Sequence, residues 1–270
     1  MRGTGKAEVF VMLAHPVGHA KSPGMFNELM ENTGLDSLMV PVTCKPENFD
    51  TFWDGLTAMD NLKGMIISVP YKARVFEKCA DAHPRAARVR SANSVIRMPD
   101  GSWYADNFDG VGFIDGLKNA KIGLAGEHVL QVGAGGAGVS LAYCLAEEGA
   151  ASLTISDIDA KRAEDLAALV GKAFPACKVS AGPSDPRGMT MVVNATPVGL
   201  KPDDPYPLDV EGLSPEMTVV DIIMDPRETR LLIYAKSIGC RVQYGQPMMD
   251  CQMKAMGEFL KVSEGPKRND

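Results

Sequence analysis

One lysine, Lys72, stands where it could exchange a proton with a bound ligand. It comes two positions after Pro70, at the end of the stretch GMIISVPYK (residues 64–72), whose apolar part is typical of a buried strand. A lysine held just beyond the carboxyl end of such a strand lies at the edge where open α/β sheets bind ligands. There its amine can act as a general acid or base toward a hydroxyl group. The alternative from the residues alone is a surface lysine that begins a helix.

A second stretch, GAGGAG, has the composition of a loop that binds phosphate groups. It follows the apolar run HVLQV and precedes an apolar helix. Glycines permit a tight turn and a close backbone approach, and the N-terminus of the following helix presents unpaired N–H groups to a pyrophosphate. Alone the pattern is weak, because any tight strand-to-helix crossing favours small residues. The predicted cofactor loop comprises Gly133, Ala134, Gly135, Gly136, Ala137 and Gly138.

An aspartate follows the next predicted strand, SLTIS. Asp157 lies 24 positions after Gly133, where a carboxylate can accept hydrogen bonds from both hydroxyl groups of an adenosine ribose. The same charge would repel a 2′-phosphate, and Ile158 rather than an arginine comes next, with Lys161 and Arg162 a turn further on. We therefore predict NAD as the cofactor and NADP as the less favoured one. The alternative is an aspartate that only caps the helix after Ile158.

The composition excludes several classes of protein. Of the 270 residues 45% are hydrophobic, 23% charged and 6% aromatic, which is typical of a globular chain with a substantial core. The net charge of −6 is spread without a basic run, so we expect no nucleic-acid partner. No apolar segment approaches the ~20 residues that span a bilayer, so we expect no membrane partner. Six cysteines without a CxxC pair predict no metal site and a reducing, cytoplasmic location.

Short apolar runs alternate with helix-length segments, the pattern of strands joined by crossover helices. In the first part of the chain, Ser22 and Pro23 are predicted as the N-cap and first residue of a helix. Asp100-Gly101 is predicted as a hairpin turn. The predicted strands cover residues 9–13 and 38–42, the apolar part of the stretch 64–72, and residues 94–98 and 103–105, and the predicted helices cover 23–33 and 46–59.

A second α/β series starts at His128, with strands predicted near 153–156, 191–194 and 218–223. We therefore predict an α/β fold with an N-terminal α/β substrate-binding lobe and a Rossmann dinucleotide-binding domain. The catalytic, substrate-binding lobe is assigned to residues 1–115 and the Rossmann domain to 116–245. A C-terminal helix, 246–262, is expected to pack back on the first lobe, and residues 263–270 are expected to be a disordered tail.

Seven motifs in one order resemble those of shikimate dehydrogenases. They are AKSP (20–23), ISVPYK (67–72), SANS (91–94), DNFDG (106–110), GAGGAG, NATPVG (194–199) and GQPMMDCQ (245–252). The resemblance implies a catalytic lobe that includes the last helix, a Rossmann lobe, and a substrate cleft between them. It also implies hydride transfer between a ring hydroxyl of shikimate, or a related cyclic hydroxy acid, and a nicotinamide cofactor, within shikimate metabolism and aromatic amino acid biosynthesis.

The resemblance also implies roles for individual residues. Lys72 matches the family's catalytic lysine, and Asp109 matches the aspartate that pairs with it. Asn93 and Gln252 match residues that hold the substrate's ring hydroxyls. The further candidates are Ser22 and Ser68 for the substrate, Ser68 where a threonine is usual, and Asn194, Ala195, Thr196 and Gly245 for the cofactor.

Three positions depart from the family pattern. Ala20 replaces the first serine of the SKSP motif, Ile66 replaces an asparagine, and Met224 stands where a tyrosine is usual. In the family, the serine and the tyrosine help to bind the ring carboxylate, so we expect Ala20, Ile66 and Met224 to line an altered substrate pocket. Losing two hydrogen bonds to an anion costs about 1.5–3 kcal/mol each, or two or more decades of affinity.

Several alternatives remain open at this point. Asp157 is as typical of NAD-linked quinate dehydrogenases as of shikimate dehydrogenases, and the altered pocket also agrees with a related polyol as substrate. A nonenzymatic NAD or metabolite sensor on the same fold is a further alternative, although a pure binder has no need of Lys72 and Asp109. The expected partner is a small molecule, and the chain is expected to be a monomer or a homodimer.

Overall fold

A computed structural model describes residues 3–18 and 20–263, and their contacts divide the chain into two compact units. The first comprises Met1–Phe108 and Met253–Asp270, and the second comprises Asp109–Gln252. The division therefore falls before helix α5 (Asp109–Asn119), whereas the predicted boundary at residue 115 lies inside that helix. Apart from Ser263, the predicted tail lies outside the described residues.

The first unit contains one six-stranded mixed sheet in the order β2-β1-β3-β5-β6-β4. Strands β1, β2 and β3 are parallel, and β5 runs antiparallel to both β3 and β6, which confirms the predicted hairpin. The strands are β1 (Glu8–Leu13), β2 (Ser37–Val42), β3 (Leu62–Ile67), β4 (Asp81–Ala82), β5 (Ser94–Arg97) and β6 (Trp103–Asp106), and the helices are α1 (Ser22–Asn32), α2 (Phe49–Thr57), α3 (Lys72–Lys78) and α4 (Pro84–Val89).

The sequence prediction was wrong at two helix starts in this unit. Helix α1 begins at Ser22, with Lys21 as its N-cap and no capping bond from a side chain, so Ser22 is not the cap. The helix predicted from Pro46 is instead a 3₁₀ turn over Pro46–Asn48 followed by α2. Both errors concern helix termini, where serine and proline patterns leave an uncertainty of one or two residues.

An aromatic cluster fills one face of this sheet and explains why α2 lies there. Phe49 stacks on Tyr71 with ring centroids 5.2 Å apart, and Trp53 meets Trp103 edge-on at 6.0 Å. Leu13 and the alternate residues of β3 belong to the same cluster. Because side chains alternate across a strand, Ile66 points to the opposite face.

The second unit contains a six-stranded, all-parallel sheet in the order β12-β11-β10-β7-β8-β9. The order reverses between β7 and β10, which is the topological switch point of a doubly wound sheet. Its strands are β7 (His128–Val132), β8 (Ser152–Ser156), β9 (Lys178–Ala181), β10 (Met191–Asn194), β11 (Thr218–Asp221) and β12 (Arg241–Gln243). The helices after α5 are α6 (Gly136–Glu147), α7 (Ala160–Ala173), α8 (Arg230–Ser237) and α9 (Gln246–Phe259). The residues of α9 after Gln252 belong to the first unit.

The central strands of this sheet are mostly apolar because helices cover both faces. Leu130, Val192 and Val219 are fully buried and form one cluster with Leu231 and Ala235 of α8. The predicted α/β fold with a Rossmann-type unit is therefore confirmed. Within the described residues, no helix has the length and apolarity to cross a membrane.

Candidate active site

The candidate residues of the first unit lie at one edge of its sheet. The register pairs Ile66 of β3 with Ser94 of β5, and Ser94 with Asp106 of β6. Because β5 runs antiparallel to β3, residues that follow β3 and residues that precede β5 meet at the same edge. Ser68 and Lys72 follow β3, and Asn93 precedes β5, so the topology brings all three candidates to this edge.

Lys72 is the first residue of α3 and its side chain is half-buried. The backbone N–H of Tyr71 donates to the carbonyl oxygen of Ser68 (2.9 Å), which closes the turn between β3 and α3. The carbonyl oxygen of Lys72 accepts from the N–H of Ala92 (3.0 Å). The lysine therefore begins a helix and also lies just beyond the carboxyl end of β3, so the two sequence interpretations are not exclusive.

Asn93 ties three strand ends together at this edge and is only 1% exposed. Its N–H donates to the carbonyl oxygen of Asp106 (3.0 Å), and its carbonyl oxygen accepts from the N–H of Ile67 (2.9 Å). Its side-chain Oδ1 accepts from the N–H of Phe108 (2.9 Å). The amide is thus rigidly placed, as a residue that orients a ligand must be.

An ion pair between Arg85 and a buried carboxylate, which the sequence analysis did not predict, supports the DNFDG segment. Asp106 is 2% exposed and accepts from both Nε (2.7 Å) and Nη2 (2.5 Å) of Arg85. The carboxylate also accepts from the N–H of Asn107 (2.7 Å), and the guanidinium lies 4.6 Å from the ring centroid of Phe108. Bidentate arginine–carboxylate pairs fix geometry as well as charge, so this pair holds the segment in place.

Two of the residues that depart from the family pattern lie in the first unit. Ala20 is half-buried just before α1, and Ser22 is buried at its start. Ile66 is 4% exposed and pairs with Ser94, whose hydroxyl has no hydrogen-bond partner among the described residues. Met224, the third, is half-buried in the loop after β11 of the second unit.

The glycine-rich loop of the second unit has the shape that a pyrophosphate requires. Gly133 has a φ of 109°, and a Cβ atom there would lie 2.8 Å from the carbonyl group of Ala195. A Cβ atom on Gly138 would collide with the carbonyl oxygen of Gly133. Gly135 and Gly136 are exposed, and a Cβ atom on either would meet nothing within 4 Å. Backbone N–H groups at the start of α6 are therefore open to a phosphate group.

Asp157 reaches back to this loop rather than capping a helix. Its Oδ2 accepts from the N–H of Ala134 (2.7 Å) and its Oδ1 accepts from the N–H of Asp159 (2.9 Å). The N-cap of α7 is Asp159, whose side chain accepts from the N–H of Arg162. The capping alternative for Asp157 is therefore wrong, and Ile158 beside it is fully exposed.

The basic side chains that follow Asp157 are paired with carboxylates. Nε of Arg162 lies 3.2 Å from Oδ2 of Asp159, and Lys161 forms an ion pair with Asp165. These are the cations that sequence analysis considered for a 2′-phosphate. A 2′-phosphate would compete with these two carboxylates for the cations.

Asn194 organises the NATPVG segment at the end of β10. Its Oδ1 accepts from the N–H (3.1 Å) and the hydroxyl (2.7 Å) of Thr196, and its Nδ2 donates to Oδ2 of Asp221 (3.1 Å). Asn194 is fully buried and Ala195 packs beneath Gly133. The predicted cofactor residues Asn194, Ala195 and Thr196 are thus placed directly beside the glycine loop.

Asp221 is the buried carboxylate of this network, and sequence analysis missed it. It is 0% exposed, and besides the bond from Asn194 it accepts from the hydroxyl of Thr229 (2.8 Å) and the N–H of Ile223 (3.0 Å). Burial raises the pKa of Asp221, an effect that the hydrogen bonds from Ile223, Asn194 and Thr229 oppose. Its position as the last residue of an apolar strand was the signal that could have identified it.

Asp109 and Gln252 lie together in the second unit. Nε2 of Gln252 donates to Oδ1 of Asp109 (2.6 Å), and the two residues are 8% and 4% exposed. A Cβ atom on Gly112 would lie 2.7 Å from the Cβ of Gln252, so the glycine lets α5 and α9 approach. Gly245 is equally close to backbone, since a Cβ atom there would lie 2.5 Å from the carbonyl oxygens of Ile222 and Ile223.

Metal-ligand clusters and disulfides are absent from the part of the chain that the structure describes. It contains no group of three or more histidine, cysteine, aspartate or glutamate side chains arranged to hold a metal ion. All six cysteines lie in this part, and none forms a disulfide. The absence of a bound metal from the functional protein stays a prediction.

A doubly wound parallel sheet, a glycine loop at its switch point and a carboxylate at the next strand end define an NAD(P)-dependent oxidoreductase. The family model described as the shikimate dehydrogenase substrate binding domain matches residues 12–95. Shikimate dehydrogenase (NADP(+)) of Rhodospirillum rubrum is 31% identical over 252 residues, which cover 91% of this chain and 89% of that protein. The chain belongs to the shikimate dehydrogenase family.

Solved structures of related enzymes resemble the whole chain. Shikimate 5-dehydrogenase from Listeria monocytogenes, in complex with shikimate and NAD, has a TM-score of 0.89 at 28% identity. The match covers 98% of this chain and 96% of the Listeria chain. Quinate dehydrogenase from Corynebacterium glutamicum, in complex with NAD, has a TM-score of 0.84 at 26% identity, and the match covers 94% of this chain and 93% of that enzyme. The ligand-free 5-ketofructose reductase of a Gluconobacter species has a TM-score of 0.82 at 29% identity, covering 95% and 96%.

These similarities confirm the family, the fold class and the oxidoreductase activity that the motifs predicted. They also confirm a nicotinamide cofactor, although the Rhodospirillum relative is named for NADP. The roles assigned to individual residues, and the preference for NAD, stay predictions.

Proposed function

We propose that the protein is an NAD-preferring dehydrogenase that oxidises a ring hydroxyl of a shikimate-like cyclic hydroxy compound, or reduces the corresponding ketone. The observation that carries this proposal is the position of Asp157, whose carboxylate lies against the N–H of Ala134 in the glycine loop (2.7 Å). A carboxylate there accepts hydrogen bonds from an adenosine ribose. Bound NAD would supply the hydride acceptor.

The chain's own residues supply the proton transfer. When hydride leaves the carbinol carbon, the hydroxyl proton must leave as well, and Lys72 at the sheet edge is proposed to accept it. Asp109, held by Gln252 at 2.6 Å, is proposed to act with Lys72 as the second member of the proton-transfer pair. In the reverse direction Lys72 returns the proton to the carbonyl oxygen as hydride is added to its carbon.

The preference for NAD is supported by charge. A 2′-phosphate would meet the carboxylate of Asp157, and the nearby cations Lys161 and Arg162 are already engaged with Asp165 and Asp159. Transferring either cation to a phosphate would leave one of those carboxylates without its partner. NAD requires no such rearrangement.

We propose that the pocket offers few contacts to a carboxylate group of the substrate. The serine and tyrosine that serve this purpose in the family are replaced by Ala20 and Met224, and Ile66 adds buried apolar surface. We therefore propose weak binding of shikimate or quinate, or a neutral polyol as the preferred substrate. The similarity to 5-ketofructose reductase favours this second candidate, because a keto sugar carries no carboxyl group.

The test is a turnover panel with shikimate, quinate and neutral cyclic and keto-sugar polyols, each with NAD and with NADP. It compares the wild type with the double variant Ala20→Ser, Met224→Tyr. We expect the variant to lower KM for the two acids by about 100-fold, since two hydrogen bonds to the carboxylate return. KM for neutral substrates should change little. Lys72→Ala should abolish turnover of every substrate.

Three outcomes would contradict the proposal. A low-micromolar KM of the wild type for shikimate with NAD would show that the pocket binds the acid well. A higher kcat/KM with NADP than with NAD would overturn the cofactor preference. Binding of NADH without turnover of any substrate would favour a metabolite sensor on the same fold.

A cytoplasmic location and a small-molecule partner complete the proposal. The six cysteines without a disulfide support a reducing compartment. A monomer and a homodimer remain the proposed assembly states, and light scattering of the purified chain distinguishes them.

A further inference from the structure

Gln131, a polar residue inside the central strand of the second sheet, contacts both ends of the glycine loop. It is 0% exposed and is the second-last residue of β7. Its Nε2 donates to the carbonyl oxygen of Gly133 (2.8 Å) and to the carbonyl oxygen of Gly138 (2.8 Å). Both protons of one amide are therefore used to join the first and last glycines of the loop.

Packing alone does not explain a glutamine at this position. Val129, Leu130 and Val132 on the same strand are buried and apolar, and an aliphatic side chain would suit the strand equally well. The Oε1 atom of Gln131 is buried and has no hydrogen-bond partner among the described residues. Leaving such an acceptor unsatisfied is unfavourable, so the two bonds from Nε2 must compensate for it.

The orientation of the amide is determined by its surroundings. If the amide were rotated by 180°, Oε1 would face the carbonyl oxygens of Gly133 and Gly138, and acceptors would oppose acceptors. The two glycines are already in close contact, since a Cβ atom on Gly138 would collide with that same oxygen of Gly133. Gln131 therefore provides the donor that lets the two carbonyl groups lie side by side.

We propose that Gln131 is a positioning residue for the pyrophosphate of the cofactor. By holding Gly133 and Gly138 together, it fixes the N–H groups of the loop in their phosphate-binding arrangement before the dinucleotide arrives. Preorganisation of this kind raises affinity because less ordering is needed on binding. This inference rests on the proposed binding of NAD at the loop.

The test measures binding of NADH, ADP-ribose and 5′-AMP by calorimetry to the full-length wild type and to Gln131→Met, which keeps the side-chain length but removes the donor. We expect Kd for NADH and ADP-ribose to rise about tenfold. Kd for 5′-AMP should change less than twofold, because it lacks the pyrophosphate. In turnover, KM for NAD should rise about tenfold while kcat at saturation stays within twofold.

A second variant, Gln131→Glu, tests the donor itself. A protonated carboxyl group has one O–H donor and an ionised one has none. Relative to Gln131→Met, affinity of Gln131→Glu for NADH should therefore improve as the pH is lowered. NADH binding to Gln131→Glu that stays as weak as binding to Gln131→Met at every pH would contradict a role for the donor. If Gln131→Met does not fold, the pH dependence of Gln131→Glu is compared with that of the wild type instead.

Gln243→Met is the matched control. Gln243 is a buried glutamine of the same sheet whose Nε2 donates to the carbonyl oxygen of Gly116 (3.4 Å), away from the glycine loop. The Kd of Gln243→Met for NADH should equal that of the wild type. Wild-type affinity for NADH in Gln131→Met, or an equal loss for 5′-AMP, would overturn the role of Gln131 alone. Failure of the wild type to bind NADH would overturn the proposed cofactor as well.

Discussion

Two carboxylates of the second unit show how surroundings decide what a residue does. Asp157 is half-buried and accepts hydrogen bonds from backbone N–H groups, so its carboxylate stays within reach of a ligand. Asp221 is fully buried, and its carboxylate accepts hydrogen bonds from neighbouring side chains and backbone. Sequence analysis found Asp157 because the spacing from the glycine loop is a local pattern. It missed Asp221 because its partner Asn194 lies far away in the chain.

Asp157→Ser should reverse the proposed cofactor preference. The serine cannot accept hydrogen bonds as a charged acceptor does, and it no longer repels a 2′-phosphate. We expect kcat/KM for NAD to fall about 30-fold or more, corresponding to at least ~2 kcal/mol, and kcat/KM for NADP to fall less or rise. Steady-state kinetics with both cofactors measure the ratio.

Asp185→Ser is the control for this change. Asp185 is an exposed carboxylate of the same unit that pairs with Arg187, so its loss alters net charge equally. It should leave the ratio of NAD to NADP activity unchanged. An unaltered ratio in Asp157→Ser would show that Asp157 does not select the cofactor.

Asp221→Asn should change the pH dependence of stability. Because burial raises the pKa of Asp221 above its unfolded value, the folded state holds the proton more tightly. The resulting stability is present below the unfolded pKa and is lost as pH rises through the folded pKa. Asparagine cannot titrate, so the stability difference between wild type and variant should decrease with rising pH.

Urea unfolding of both proteins at several pH values measures this difference. The variant should be less stable overall by about 1–3 kcal/mol, since the amide of Asn194 would face a second amide donor. A stability difference that increases with pH would mean that the hydrogen bonds outweigh burial in setting the pKa of Asp221. Thr218→Ser, on the same strand, is a suitable control.

The close packing of helices in the second unit depends on glycines at the points where two helices meet. Gly112 lets α5 lie against the N-terminal part of α9, and Gly110 lets it lie against α6, where a Cβ atom would collide with Sγ of Cys144. The sequence analysis assigned no role to Gly110 or Gly112. It could not identify the contacts, because the partner helices are distant in sequence.

Gly112→Ala should therefore destabilise the protein and disturb the site. Its Cβ atom would lie 2.6 Å from the carbonyl oxygen of Met248 and 2.7 Å from Cβ of Gln252. We expect a loss of about 1–3 kcal/mol and a fall in kcat, since Gln252 holds Asp109. Gly55→Ala, in α2 where a Cβ atom meets nothing within 4 Å, should instead stabilise by roughly 0.5–1 kcal/mol.

Thermal unfolding and turnover of the two variants distinguish the mechanisms. If both glycine replacements stabilised the protein, only helix propensity would matter and the close approach at Gly112 would be refuted. The elements that sequence analysis omitted, β4, β9, β12, α3, α4 and α8, are mostly short or edge elements. Their formation depends on neighbouring chain segments more than on their own periodicity.

At the scale of the whole molecule, each unit has its own sheet and its own buried cluster. The motifs predicted a chain with two parts, because alternating strand and helix patterns occur twice. The position of the division was less predictable. It falls between the adjacent residues Phe108 and Asp109, and the sequence has no low-complexity linker at this point. The fold class thus followed from periodicity, while the limits of the units depended on contacts.

ADP-ribose should protect the second unit specifically. At 100 times its Kd, a ligand that binds only the folded state adds about 2.7 kcal/mol of stability. Hydrogen exchange with mass spectrometry should show slower exchange in peptides that contain Gly133–Gly138 and Asp157. Peptides from β1 and β2 should be unaffected by it.

Gly138→Ala provides the control, because its methyl group would collide with the carbonyl group of Gly133. Added ADP-ribose should no longer protect the loop peptides in this variant. Protection confined to the first unit would place the dinucleotide site there, and protection in neither unit would contradict dinucleotide binding.

The pairing of Arg85 with Asp106 constrains how this chain can change. Removing Arg85 alone leaves the 2%-exposed carboxylate of Asp106 as an uncompensated buried charge, a change that typically destabilises by about 3–5 kcal/mol. Removing Asp106 alone leaves a cation that stays partly hydrated, since the side chain of Arg85 is 36% exposed. A selection for stable variants that changes one position at a time would therefore retain Arg85 more strictly than Asp106.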